Sequence, residues 1–332
     1  MRIPPPRTIA VIGLGAWGSA LALHCAREGH RVIGWHRDGR FVDETKKAAS
    51  LLCASKYHPL PHNLSVTANV QDAAGAEITI IALPSSAWGE VLPLIPKPTV
   101  LVSATKGLEK TTGQTPLAFA ASLLSLKDQN LCVISGPSFA SDLSARRPLS
   151  IVAASRDRDT AMLVTEALAG ESLRVYASPD PLGVELGGTL KNVIAIACGV
   201  SDSLGFGPSA RAALISRGLA EMSRLAVTLG ANGRTLSGLS GLGDLVMTAT
   251  EDQSRNRQVG LRLGRGERLE DIITSLGSTA EGVNTAPLVQ KLALQSKTEV
   301  PITDMVVELM AGTHSPLELA KKLMNRPLKS EF

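Results

Sequence analysis

Lys191 and Asn192 stand inside an otherwise apolar run, V-E-L-G-G-T-L-K-N-V-I-A-I-A over residues 184–197. A lysine in such company is costly to bury unless it faces a polar cavity or a partner. Desolvation lowers a lysine's pKa, which makes the amine usable as a general base near neutrality. A lysine whose stem lies in the apolar layer while its head reaches solvent is the plainer alternative. A second pattern is G-L-G-A-W-G at 13–18, which follows a β-branched run and opens a helical one. That context is what raises a G-x-G-x-x-G above chance. Gly13 permits a tight turn, Gly15 lets backbone approach a pyrophosphate, and Gly18 lets the helix pack close to the strand. The helix N-terminus adds unpaired N–H groups and a positive dipole end. A glycine-rich turn with no ligand is the alternative.

The end of the second strand bears on which dinucleotide is bound. An NAD site usually has an acid about 20 residues on, bonded to the ribose hydroxyls. Here the stretch reads Trp35-His36-Arg37-Asp38, so the acid is late and two basic residues precede it. A guanidinium suits a 2′-phosphate because it binds in a bidentate, charge-assisted way. NADP(H) is therefore the expected cofactor, with NAD(H) as the lesser one. Arg37 as a solvated loop residue is the alternative.

Three more segments carry polar chemistry. Thr105-Lys106-Gly107 and Ser135-Gly136-Pro137-Ser138-Phe139-Ala140 each follow a strand-like run, at the edge where open α/β sheets bind ligands. Ser138 also fits as a helix cap. The third is Gly238-Leu239-Ser240-Gly241-Leu242-Gly243-Asp244-Leu245 followed by Ser254-Arg255-Asn256-Arg257. Asp244 would ordinarily be a cap after its glycine turn. The hydroxyl, guanidinium and amide donors of S-R-N-R suit a phosphate monoester, and equally suit a solvated helix start.

These groups need elements to hold them. Short apolar runs at 8–13, 31–35, 77–83, 99–104, 131–134 and 150–153 alternate with helical segments such as 19–28 and 115–124. Continuous rather than alternating apolar strands predict a parallel sheet covered on both faces, so a doubly wound α/β domain. Beyond Ser178-Pro179-Asp180-Pro181 helical spacing takes over: Leu214, Leu219, Met222, Leu225, Ala226 and Leu229 recur before Gly230, a fitting C-cap. Ser315-Pro316-Leu317-Glu318 reads as a capping box. The predicted domains are 1–180, α/β, and 181–332, all-α.

The 332 residues are 44% hydrophobic and 19% charged, with a net charge of +4, so general disorder is excluded and nothing calls for nucleic acid. Cys25, Cys53, Cys132 and Cys198 are scattered, which argues for reduced thiols rather than a disulfide or zinc scaffold; no metal site is expected. No run approaches the ~20 apolar residues of a membrane span, and the start shows no signal-like apolar stretch. The expectations are a cytoplasmic protein, no stable membrane insertion, and a homodimer on base rate alone.

Taken together, the motifs closely resemble the bacterial-type NAD(P)-dependent sn-glycerol-3-phosphate dehydrogenases over nearly the whole chain. The resemblance rests on G-L-G-A-W-G-S-A-L-A at 13–22, A-T-K-G-L at 104–108, S-G-P-S-F-A at 135–140 and G-V-E-L-G-G-T-L-K-N-V-I-A-I-A at 183–197. It continues in A-R-A-A-L-I-S-R-G-L-A-E-M at 210–222, G-L-G-D-L at 241–245, S-R-N-R at 254–257 and A-E-G at 280–282. It implies a Rossmann-type domain followed by a helical one. It also implies that Lys191 is the general acid and base, and that dihydroxyacetone phosphate or glycerol 3-phosphate is held by Lys106, Gly136, Ser138, Lys191, Asp244, Ser254, Arg255 and Asn256. Gly13, Gly15, Ala16, Trp17, Gly18, His36, Arg37, Lys106, Ala140, Arg255 and Glu281 would then contact the dinucleotide. The family role implied is supply of glycerol 3-phosphate for phospholipids. Asp142 and Thr279-Ala280 depart from the family's usual residues.

Overall fold

The computed structural model describes residues 5–277, 280–327 and 330. Thr279 therefore lies outside the described residues. The chain divides into two compact units, Met1–Glu185 and Leu186–Phe332.

The first unit carries strands β1 (Thr8–Ile12), β2 (Arg31–Trp35), β3 (Ser50–Cys53), β4 (Lys56–Pro59), β5 (Leu64–Thr67), β6 (Ile78–Ile81), β7 (Val100–Ser103), β8 (Leu131–Ser135), β9 (Leu149–Ala154) and β10 (Leu173–Ser178). Its helices are α1 (Ala16–Arg27), α2 (Gly39–Ala48), α3 (Trp88–Val91), α4 (Pro116–Leu124), α5 (Ala140–Ser144) and α6 (Arg158–Leu168). Eight strands form one sheet in the order β10-β9-β8-β7-β6-β1-β2-β5, while β3 and β4 pair as a separate hairpin. The chain runs outward from β1 through β2 to β5, then returns to β6 on the other side of β1. This reversal is the switch point at which doubly wound sheets bind ligands, outside the carboxyl ends of the strands.

The six expected strands are all present, and the reason for their unbroken apolar character is visible in β1. Ile9 and Val11 join one core cluster with α1, while Ala10 and Ile12 join another with Trp88 and Leu117. Both faces are covered, so neither parity of residue can be polar. The expectation of a wholly parallel sheet needs correction, because β9 runs antiparallel to β8. Between them lies α5, five residues long. At 1.5 Å per residue it spans roughly 8 Å, too little to carry the chain back along a strand, so β9 enters from the carboxyl edge. β10, missed in the sequence, then pairs parallel to β9. Its signal was period two: Leu173 and Val175 are buried, Arg174 and Tyr176 exposed.

α7 (Pro181–Ser203) spans the division between the units. Contrary to expectation, it is long and apolar enough to cross a membrane, with a mean hydropathy of 1.2. Its apolar window is wholly buried inside the protein, the signature of a core helix. The second unit continues with α8 (Gly207–Thr228), α9 (Gly233–Leu236), a π-helical turn at Leu239–Gly243, α10 (Asp244–Thr250), α11 (Arg255–Gly264), α12 (Leu269–Leu276), α13 (Glu281–Gln295), α14 (Pro301–Met310) and α15 (Pro316–Met324). Gly230, at φ +98°, ends α8 as its position implied. The capping box of Ser315 and Glu318 is formed.

Candidate active site

The glycine loop connects the carboxyl end of β1 to α1. Gly13 sits at φ +104°, and its N–H and that of Leu14 both donate to Trp35 O, at 3.0 and 3.2 Å. A Cβ on Gly18 would lie 1.9 Å from Gly13 O, so the helix could not approach the strand with any side chain there. A Cβ on Gly15 would meet nothing within 4 Å. Gly15 thus borders open space at the start of α1, where Gly15 and Ala16 are exposed and Trp17 half-buried. An open face beside the first N–H groups of a helix fits a pyrophosphate. At the end of β2, Asp38 does not face a ribose site as an uncommitted acid. Its carboxylate accepts from Arg40 N–H at 3.0 Å and caps α2. His36 lies half-buried with its ring 4.1 Å from Phe41, and Arg37 is exposed.

The loops after β7 and β8 meet within the first unit. Thr105 accepts from Trp88 Nε1 at 3.0 Å and donates to Leu83 O at 2.7 Å, which pins the turn that presents Lys106. Lys106 Nζ donates to Gly136 O at 3.0 Å, and Ser138 Oγ donates to the same carbonyl at 3.0 Å. Gly136 adopts φ +149°, and a Cβ there would stand 2.9 Å from Ile151 Cα. The capping alternative for Ser138 fails: α5 begins after Phe139, with no side-chain cap. Ala140 is the first residue of α5.

In the second unit Lys191 is buried, with its side chain 5% exposed. Its Nζ donates to Asp244 Oδ1 at 2.5 Å and to Thr248 Oγ1 at 2.6 Å. Thr248 Oγ1 donates its hydroxyl hydrogen bond to Asp244 O at 2.6 Å, so its oxygen is oriented to accept from the lysine. Asp244 is fully buried. The capping reading for Asp244 therefore gives way, and so does the snorkelling reading for Lys191. A buried carboxylate offsets the desolvation that a lone ammonium would suffer, so the arrangement favours the charged lysine. An ammonium held in this way can give a proton, and the amine left behind can take one. Thr248 went unnoticed in the sequence, although its i+4 spacing from Asp244 on a helix was available.

Ser254 caps α11, accepting from Arg257 N–H at 3.2 Å, so the helix-start reading of S-R-N-R holds for this residue. Arg255, first in the helix, is exposed. Asn256 is buried and joins three elements: its Nδ2 donates to Asn192 Oδ1 at 2.9 Å, and its Oδ1 accepts from Gly282 N–H at 2.9 Å. The residue beside Lys191 and the residue after Glu281 are thus held on one amide. Glu281 opens α13, where a carboxylate is favoured by the helix dipole, and it attracts Arg255 electrostatically.

Comparison with known proteins agrees with this arrangement. The family described as NAD-dependent glycerol-3-phosphate dehydrogenase N-terminus matches residues 8–161, and its C-terminus counterpart matches 180–321. The chain is 44% identical to a glycerol-3-phosphate dehydrogenase [NAD(P)+] of Thioalkalivibrio sulfidiphilus, over 99% of both proteins. A counterpart from Exiguobacterium sp. is 40% identical over 98% of this chain and 97% of its own. The crystal structure of glycerol-3-phosphate dehydrogenase from Coxiella burnetii superposes with a TM-score of 0.90 at 37% identity, covering 97% of this chain and 100% of that one. Matched in both halves and nearly end to end, the chain belongs to the bacterial-type NAD(P)-dependent glycerol-3-phosphate dehydrogenases, a family of oxidoreductases.

Proposed function

We propose that this chain reduces dihydroxyacetone phosphate to sn-glycerol 3-phosphate, and runs the reverse, with Lys191 as the group that gives and takes the C2 oxygen's proton. The observation that carries this is the buried ammonium held between Asp244 and Thr248. An ammonium beside a carbonyl oxygen stabilises the negative charge that grows there during reduction, and then supplies the proton. Asp244 keeps Lys191 charged between turnovers, and Thr248 fixes its direction. Ser254, Arg255, Asn256, Lys106, Gly136 and Ser138 are the residues this reading assigns to the phosphate. Binding energy at the phosphate holds the reacting carbon in place.

A nicotinamide dinucleotide, when bound, would supply or accept the hydride. Gly13, Gly15, Ala16, Trp17 and Gly18 would hold its pyrophosphate, and Lys106, Ala140, Arg255 and Glu281 are further residues assigned to it. His36 and Arg37 favour the 2′-phosphate of NADP(H), because Asp38, the acid that follows them, is already used as a cap. The setting consistent with this chemistry is cytoplasmic supply of glycerol 3-phosphate for phospholipids, by a homodimer. The test follows NADPH absorbance with dihydroxyacetone phosphate, and with unphosphorylated dihydroxyacetone as control. Oxidation that requires the phosphate is the expected result. A folded, cofactor-binding sample without such oxidation overturns the assignment.

A further inference from the structure

The two arginines of S-R-N-R have different fates. Arg255 is exposed, whereas Arg257 is buried. The Arg257 guanidinium is divided between two carboxylates: Nη2 meets Asp202 Oδ2 at 2.7 Å, and Nη1 meets Asp252 Oδ1. Asp202 lies on α7, about three helical turns beyond Lys191. Asp252 lies in the loop just ahead of α11. The backbone N–H of Arg257 donates to Ser254, the cap of that helix. One residue therefore closes the turn from Asp252 onto itself and fastens it to the helix that carries the lysine.

Between α7 and α11 there is little to absorb a shift. A Cβ on Gly199 would lie 2.3 Å from Arg257 O, one on Gly260 2.0 Å from Ile196 O, and one on Gly264 1.8 Å from Ser203 Oγ. The two backbones touch, and a displacement of one is passed to the other. A guanidinium between two carboxylates is also badly placed to bind a phosphate, since the carboxylates repel it and leaving them would strand buried charge.

We infer that Arg257 is a positioning residue for phosphate recognition: through Asp202 and Asp252 it fixes the Ser254–Asn256 turn relative to Lys191, and so sets where Arg255 presents its charge. This rests on the proposed function. It assigns the paired arginines of one motif to separate tasks, one meeting ligand and one holding the frame.

The experiment measures KM for dihydroxyacetone phosphate at saturating NADPH in Arg257→Met, Arg257→Lys, Asp202→Asn, Asp252→Asn and the Arg257→Met/Asp202→Asn pair. Arg257→Met and Asp202→Asn are each expected to raise that KM about tenfold or more, with kcat and the KM for NADPH within about threefold of wild type. Arg257→Lys keeps a cation for Asp202 and recovers part of the loss. The double variant is expected to fall well short of the product of the two single effects, because both changes remove the Arg257–Asp202 pair. An effect in Arg257→Met with none in Asp202→Asn would mean that Arg257 touches the phosphate itself, and overturns the inference. A lowered Tm with KM unmoved throughout overturns it too. Arg211 shares Asp202 at 2.9 Å, so Arg211→Gln raising KM as far as Asp202→Asn would transfer the role to Arg211. Should Arg257→Met not fold, Arg257→Lys and Asp252→Asn decide, the latter at a carboxylate 81% exposed and safe to neutralise. A wild type without phosphate-dependent turnover defeats the functional reading and this inference together; turnover with unmoved KM defeats the inference alone.

Discussion

Replacing Asp244 by Asn tests the site at its electrostatic centre. The change keeps the shape and an oxygen acceptor but removes the charge 2.5 Å from Lys191 Nζ. At an effective dielectric near 20, two unit charges at that distance attract by about 7 kcal/mol. Desolvation offsets part of this, and breaking a buried pair from one side costs roughly 3–5 kcal/mol in net terms. That cost falls on the ammonium, so the enzyme reaches the substrate with its proton donor depleted. General acid assistance is worth about 10²–10⁴-fold, which sets the expected loss of turnover in dihydroxyacetone phosphate reduction. Thr248→Val is the companion. It removes a neutral acceptor from a charged donor, a bond worth about 1.5–3 kcal/mol, so turnover should fall by about 10–100-fold, less than in Asp244→Asn. Both are read as initial rates of NADPH consumption at pH 6 and pH 7.5, and acidification should return part of the activity of Asp244→Asn by refilling the lysine. Turnover of Asp244→Asn within threefold of wild type, or a larger loss in Thr248→Val, would refute the reasoning.

Arg37→Asp should raise the KM for NADPH far more than that for NADH, and equal changes for both would remove Arg37 from the 2′-phosphate. Gly15→Ala should leave Tm unchanged but weaken NADPH binding, measured by fluorescence titration, because its Cβ would enter open space where the proposed pyrophosphate would lie. Gly18→Ala should lower both, since its Cβ is driven into Gly13 O at a cost of about 1–3 kcal/mol; identical behaviour of the two variants would contradict the loop geometry. Burial pushes the Glu185 carboxyl up to about 7 from 4.5, despite the Leu117 N–H that favours its charge. Above pH 4.5 the unfolded chain releases this proton and the folded one does not, so stability is lost as pH rises through about 7. Glu185→Gln should abolish that loss, and its Tm relative to wild type should climb between pH 5 and 7.5; a constant difference would show that Glu185 does not titrate as its burial requires.

Local pattern carried a large share of what this chain is. The β-branched runs at 8–13 and 77–83 had to be strands, and glycines between β1 and α1 had to form a tight turn, because those properties depend on neighbours in the chain. The capping box at Ser315 and the stop at Gly230 are local for the same reason. Lys191 was recognisable because a charged residue inside an apolar helix violates the pattern around it, and such violations gather at functional sites. Other features depend on groups distant in sequence. Nothing near position 191 reveals that its partner is Asp244, that Thr248 completes the pair, or that Asp38 is spent on Arg40 N–H. Nor does S-R-N-R say which arginine is buried; α7 decides that by placing Asp202 beside Arg257 and Gly199 against the backbone of α11. The reversal of β9 and the burial of a membrane-length helix were likewise settled by what packs around them. Sequence fixes the periodicity and backbone freedom of each segment, which short-range sterics control. Pairing of charge and choice of buried face are tertiary, because they depend on desolvation and contacts that exist once distant segments meet.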